Sequence, residues 1–153
     1  MATTHKARFS VSMTPVVTVD AVAGASLETN SLHEDVRKTV GGSGEVTYDG
    51  AIDYGGWTDG TPTYLSASSS GVTVGNSDTQ LLYVEHTGYE YSSGTVLGDA
   101  TTGQVTLFLD LEIVARLGAG DAMVLPLYGA SVGTFKVVRV GSPDKAIIVL
   151  GLD

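Results

Sequence analysis

The side chains whose types could do chemistry are three histidines, a scatter of serines and one acidic, aromatic stretch. His5, His33 and His86 lie far apart in the chain, and no second histidine stands two positions from His86. A zinc or iron centre needs three or four converging ligands. Metal catalysis is therefore not expected, and no cofactor is. No serine sits in a G-x-S-x-G turn, and the serines fall mainly in turn-like contexts. A triad drawn together from distant segments would leave no local trace, but nothing points to one, so the chain is not expected to be an enzyme.

The acidic stretch is YDGAIDYGGWTDG, residues 48–60, where Asp49, Asp53 and Asp59 surround Tyr48, Tyr54 and Trp57. Carboxylates beside stacking rings fit a sugar cleft. A calcium loop is the second possibility, although the spacing departs from D-x-[DN]-x-[DN]-G. The plainer reading is a turn-rich loop whose aromatics pack on a sheet or on a neighbouring subunit. Trp57, the only tryptophan, would make an interface anchor if exposed. Tyr54, Tyr89 and Tyr91 join it as candidate partner-binding residues. The glycines of GGSG, residues 41–44, lack the lysine and helix of a phosphate cradle and read as a turn.

These residues must be held by strands. VTLFLDLEIVARL, residues 105–117, places Val105, Leu107, Leu109, Leu111, Ile113, Ala115 and Leu117 at every second position. Period two marks a strand with one face on a core. Its length predicts a bend or bulge part-way. A helix capped at Asp110 and ended by Gly118 is the competing reading.

KARFSVSM, residues 6–13, also alternates and is broken by Pro15, after which VVTVDAV (16–22) resumes. NSLHEDVRK, residues 30–38, is the single helix candidate, with Ser31 and Glu34 at capping-box spacing. Residues 41–80 read as loops and edge strands around EVTYD, TYLSA and GVTV. QLLYVEH (80–86) is a strand, and 87–103 is a long connection with room for a small hairpin. AMVLPLY (122–128) returns antiparallel after a glycine turn, with Pro126 near an edge or bulge. GTFKVVRV (133–140) switches its apolar phase after Val137, as a bulge would. AIIVLGL (146–152) is apolar throughout, as a strand covered on both faces would be.

The chain has 153 residues, no cysteine and a net charge of −9. That length supports one core. The missing cysteines remove disulfides and thiolate chemistry. The eight basic residues form no cluster, so nucleic acid is not an expected partner. No apolar run is long enough to span a membrane, and MATTHKARFS lacks the apolar region of a signal peptide. The expectation is an all-β, single-domain antiparallel β-sandwich, jelly-roll or Greek-key, with at most one short helix. Residues 1–9 would form an arm, and residues 6–153 the sandwich with an irregular loop region at 41–80.

The segments LLYVEHTG (81–88), VTLFLDLE (105–112), RLGAGDAMVLPLYG (116–129) and KAIIVLGL (145–152) together resemble structural proteins of tailed bacteriophages. The likeness is to sandwich proteins that decorate or cement the capsid, and it covers roughly residues 80–152. It implies a non-enzymatic virion protein, assembled in the host cytoplasm as a dimer or trimer. Such a protein binds major capsid protein and clamps adjacent coat subunits through repeated modest contacts. The arm would dock by strand addition. Composition alone makes its residues His5, Lys6, Arg8 and Phe9 the first candidates for that contact. The alternatives are a phage tail or fibre subunit, or a carbohydrate-binding β-sandwich module.

Overall fold

A computed structural model describes residues 4–13, 17–21, 25–29, 40–48, 52–55, 57–58, 61–128 and 133–153. At 13, 17–21, 25–29, 40, 48, 52–55, 57–58 and 61–62 only the backbone is described. The helix candidate at 30–38, with His33, lies outside the described residues.

All the regular structure described is strand. In chain order the strands are β1 (His5–Met13), β2 (Val17–Ala21), β3 (Ala25–Thr29), β4 (Val40–Tyr48), β5 (Ile52–Gly55), β6 (Trp57–Thr58), β7 (Thr61–Pro62) and β8 (Leu65–Ala67). They continue as β9 (Val72–Gly75), β10 (Leu81–Ser93), β11 (Val96–Ala100), β12 (Gln104–Leu109), β13 (Glu112–Leu117), β14 (Ala122–Pro126), β15 (Phe135–Val140) and β16 (Lys145–Leu152).

The chain divides into two compact units, Arg8–Glu45 and the remainder. In the smaller unit β2 pairs antiparallel with β3, and β1 and β4 form a two-stranded sheet. The glycines at 41–44 are part of strand β4, not a turn. Pairing with β1 extends them, and the Phe9 ring lies where a side chain at 44 would stand.

The larger unit is an antiparallel β-sandwich. One sheet is centred on β10 and β16, with β11 and β14 beside β10 and with β5 and β8 beside β16. The other runs β13-β12-β15-β9. Both sheets contribute to one core. Leu82, Val84, Ile147 and Val149 come from the first, and Val74, Val105, Leu107, Leu117, Phe135 and Val137 from the second. Strict alternation on β10, β12 and β15 puts these residues on inward faces. The run at 146–152 behaves as expected: Ala146, Ile147, Ile148 and Val149 are all buried.

Three further sequence expectations need correction. Residues 105–117 are not one strand but the hairpin β12–β13, turning at Asp110 and Leu111. Asp110 takes a φ of 52°, a conformation that Asp tolerates better than most residues. Within β13 a bulge adds a residue: Leu107 faces Ala115, but Phe108 faces Ile113, leaving Val114 extra. One extra residue flips the faces. Leu111 and Ile113, expected inward, are 91% and 53% exposed.

Second, β10 runs through to Ser93, so residues 87–93 are strand, and the small hairpin is β10–β11. The irregularity sits between His86 and Glu90, where β10 carries extra residues against β16. Gly88, at a φ of 83°, makes that excursion possible. Third, β15 keeps its register against β12 from Phe135 to Val140. Val138 and Val140 therefore do not switch to the core; they face outward.

Candidate partner-binding surfaces

The hairpin turn, the bulge and the unbroken register of β15 together set the outward face of the β13-β12-β15-β9 sheet. Phe108 on β12 stands between Ile113 on β13 and Lys136 on β15. Thr106 stands between Arg116 and Val138. Val140 follows opposite Gln104. Ile113, Val114 and Val140 are 53%, 41% and 46% exposed. Phe108, Asp110, Leu111, Lys136 and Val138 line an open depression of about 200 Å³ at the hairpin end. Contiguous exposed apolar side chains of this kind mark interaction surfaces or ligand grooves.

Charge on this face is selective. Asp110 is turned toward the segment leading into β15, where its carboxylate accepts the Thr134 N–H at 3.1 Å. Glu112 on β13 is exposed, but it stands opposite Leu109, on the inward side at the end of the sheet. Elsewhere the basic side chains are engaged: Arg8 pairs with Glu45 at 2.8 Å, Arg139 with Asp144 at 3.1 Å, and Lys6 has a partner. Lys145 is buried beneath Gly103, where its stem leaves no room for a side chain. Arg116 and Lys136, both on the apolar face, have no hydrogen bond or ion pair among the described residues, nor has buried Lys145.

The buried polar groups are used structurally. His86 is fully buried. Its Nδ1 accepts the Gly88 N–H at 3.1 Å, and its Nε2 stands 2.9 Å from the Gly103 carbonyl. That pattern fixes the neutral tautomer with the proton on Nε2. Burial pushes the His86 pKa down, and nearby Lys145 adds to that; the Gly103 bond and Asp121 oppose it. The His86 backbone also bonds Asp121 and Gly120, each at 2.9 Å. This residue thus joins β10, the 101–103 segment and the 118–121 turn. On the same strand the Tyr83 hydroxyl donates to Glu85. Burial, then that bond, push its pKa up to about 12. Among the described residues no three His, Asp or Glu side chains converge as a metal-binding group.

The candidate residues taken from the sequence do not form one site. His5, Lys6 and Arg8 are exposed on β1 and Phe9 is half-buried there. The Arg8 guanidinium is already committed to Glu45. Tyr89 is exposed, whereas Tyr91 is half-buried and its N–H donates to the Asp144 carbonyl at 2.9 Å. Tyr54 lies on β5 opposite Gly151, and Trp57 on β6 opposite Pro62. Their side chains, with Asp49 and Asp59, lie outside what is described, as does any cleft they would form.

Sequence reasoning put Phe108 and Val114 on the water-facing side of the 105–117 alternation without marking them as a contact surface, and it missed Ile113, Val138 and Val140 as surface residues. The signal was present in part. Phe108 and Val114 are apolar at the even positions of the 105–117 alternation, and Val138 follows Val137 directly. Both patterns place apolar groups on two faces of a sheet, and neither says which face lacks a cover. No family model, curated protein or solved structure matches this chain.

Proposed function

We propose that this chain is a structural protein of a bacteriophage particle. In this reading it binds the outer surface of the capsid, contacts major capsid protein and stabilises adjacent coat subunits as a decoration or cement protein. One observation carries the reading: an apolar sheet face, exposed on β13 and β15, on a β-sandwich whose buried His86 and Thr79 are spent on holding its own turns. Such a face serves association with protein, and association is the whole task of a cement subunit. The resemblance of residues 80–152 to phage sandwich proteins supplies the particle. Exposed Tyr89 is a side chain offered to the coat.

The test mixes the purified chain with bare capsids and measures uptake by sedimentation. Stoichiometric, saturable uptake that raises the temperature of capsid disruption is expected. Glycan-array binding without capsid uptake would overturn the proposal in favour of a carbohydrate-binding module. Uptake confined to tails would place the chain in a tail or fibre.

A further inference from the structure

We propose that His86 is a pH-operated latch: protonation of its ring releases the excursion of β10 at residues 87–89, and with it the Tyr89 side chain offered to the coat. The release follows from the contacts of His86; only its effect on coat binding rests on the cement reading.

The latch is a single lone pair. Nδ1 accepts the Gly88 N–H at 3.1 Å, and Nε2–H donates to the Gly103 carbonyl at 2.9 Å. Only the neutral ring has an acceptor nitrogen. Protonation places an N–H on Nδ1, facing the Gly88 N–H in a fully buried site. Two donors then meet with no acceptor between them, and one must leave.

Gly88 is the group placed to move. The register between β10 and β16 is interrupted from His86 to Glu90, so residues 87–89 lie outside that ladder. His86 is fixed by its own backbone, which bonds Asp121 and Gly120, each at 2.9 Å. The excursion keeps a few tethers. The Thr87 hydroxyl donates to the Ala146 carbonyl at 2.8 Å, the Gly88 carbonyl accepts the Thr101 N–H at 2.9 Å, and Tyr89 stands opposite Ala100. The segment therefore swings outward and stays attached.

Charge drives the same step. Lys145 on β16 and Asp121 in the 118–121 turn are the charged groups that act on the ring, and residues 101–103 carry no titratable side chain. Lys145 is 1% exposed, with its stem against Gly103, and has no hydrogen bond or ion pair among the described residues. An imidazolium beside it would be a second buried cation. Asp121 favours that cation, but its carboxylate is exposed and already accepts the Gly118 N–H at 2.8 Å. The closed form therefore resists the proton, and the open form, which admits water, takes it up. Falling pH favours opening.

The experiment follows the full chain by ¹⁵N NMR from about pH 8 to about pH 5. Ring-nitrogen shifts report the protonation of His86. Hydrogen-exchange protection of the Gly88 amide reports release, and that of the Leu82 amide reports global unfolding. Gly88 protection should fall about tenfold with the ring titration while Leu82 stays protected. His86→Gln, which does not titrate, should hold Gly88 protection constant.

A ring that protonates with Gly88 protection unchanged would overturn the latch. So would a ring that stays neutral until Leu82 exchanges as well. Both readouts come from the wild-type chain, so they decide the matter even if His86→Gln fails to fold. Uptake on bare capsids over the same interval is the second arm. It should fall about tenfold in the wild-type chain and hold steady in His86→Gln. Uptake that ignores a working latch would overturn the role given to Tyr89. A working latch without capsid uptake at any pH would sink the cement reading and leave the latch standing.

Discussion

The two sheets of the sandwich have similar inward faces and opposite outward ones. On β16 the inward residues Ile147 and Val149 are buried, and so are Ala146 and Ile148 on the other side. On β12, β13 and β15 the inward residues Val105, Leu107, Leu117 and Val137 are equally buried, but outward Ile113 and Val114 on β13 and Val140 on β15 are exposed, while outward Thr106 on central β12 is buried. Both sheets place apolar groups on two sides, and only the β10–β16 sheet is covered on both. The lesson is that apolar content does not decide burial by itself. The uncovered sheet face holds apolar area without the benefit of removing it from water.

Substitutions that contrast the two sides of the β12–β13 hairpin test this most strongly. Leu107→Ala empties a fully buried inward position and should cost about 3 kcal/mol, the middle of the range for such cavities. Ile113→Ala, also on this hairpin but outward, should change the stability of the isolated chain by no more than about 0.5 kcal/mol. Urea denaturation at low protein concentration measures both. Equal losses would mean that the outward face is covered.

The next contrast compares the two outward faces. Ile148→Ala removes a buried side chain from the covered one and should cost about 2 kcal/mol. Val140→Ala, on the uncovered one, should fall within about 0.5 kcal/mol of zero. Thermal melts of the two variants side by side decide it.

How far the sequence carries differs between the same two regions. The unbroken apolar run at 146–152 cannot expose a clean face whichever way it is turned, so its double coverage is legible without coordinates. The all-β class and the strands at 6–13, 80–86 and 122–128 follow equally from period and turn residues. The 105–117 segment was misread because a two-residue turn at Asp110 and Leu111 preserves the alternation that a single strand would show. The bulge at Val114 then inverts the faces with no compositional mark. The exposed surface followed from those two unmarked events, so it was not legible.

A third prediction concerns pH and the covered sheet. His86 is buried and neutral, with its pKa lowered mainly by burial. Below the ordinary histidine value of about 6.5, the unfolded chain binds a proton that the folded chain refuses. Stability therefore rises with pH through this window. The contribution is full above about 6.5 and is lost as pH falls through the depressed folded value. Urea melts between that value and the carboxylate range should show this slope in the wild-type chain. His86→Gln, which does not titrate, should flatten it while lowering stability at every pH. An unchanged slope would show that His86 does not carry it. The uncovered sheet contributes no described histidine, so its outward-face variants should leave the slope as it is.

The smallest effect is at Asp110, where the hairpin that creates the uncovered face turns. Two terms of similar size oppose each other there. The φ of 52° disfavours a side chain, and glycine would relieve this by about 1 kcal/mol. The carboxylate's bond to the Thr134 N–H at 3.1 Å would be lost, at a similar cost for an exposed hydrogen bond. Asp110→Gly should therefore lie within about 0.5 kcal/mol of wild type, and Asp110→Asn, which tolerates the same backbone and keeps an acceptor, closer still. Asp110→Val keeps neither compensation and should lose about 2 kcal/mol. If all three variants melt alike, the turn does not fix the hairpin. The outward placement of Leu111 and Ile113 would then rest on the Val114 bulge alone.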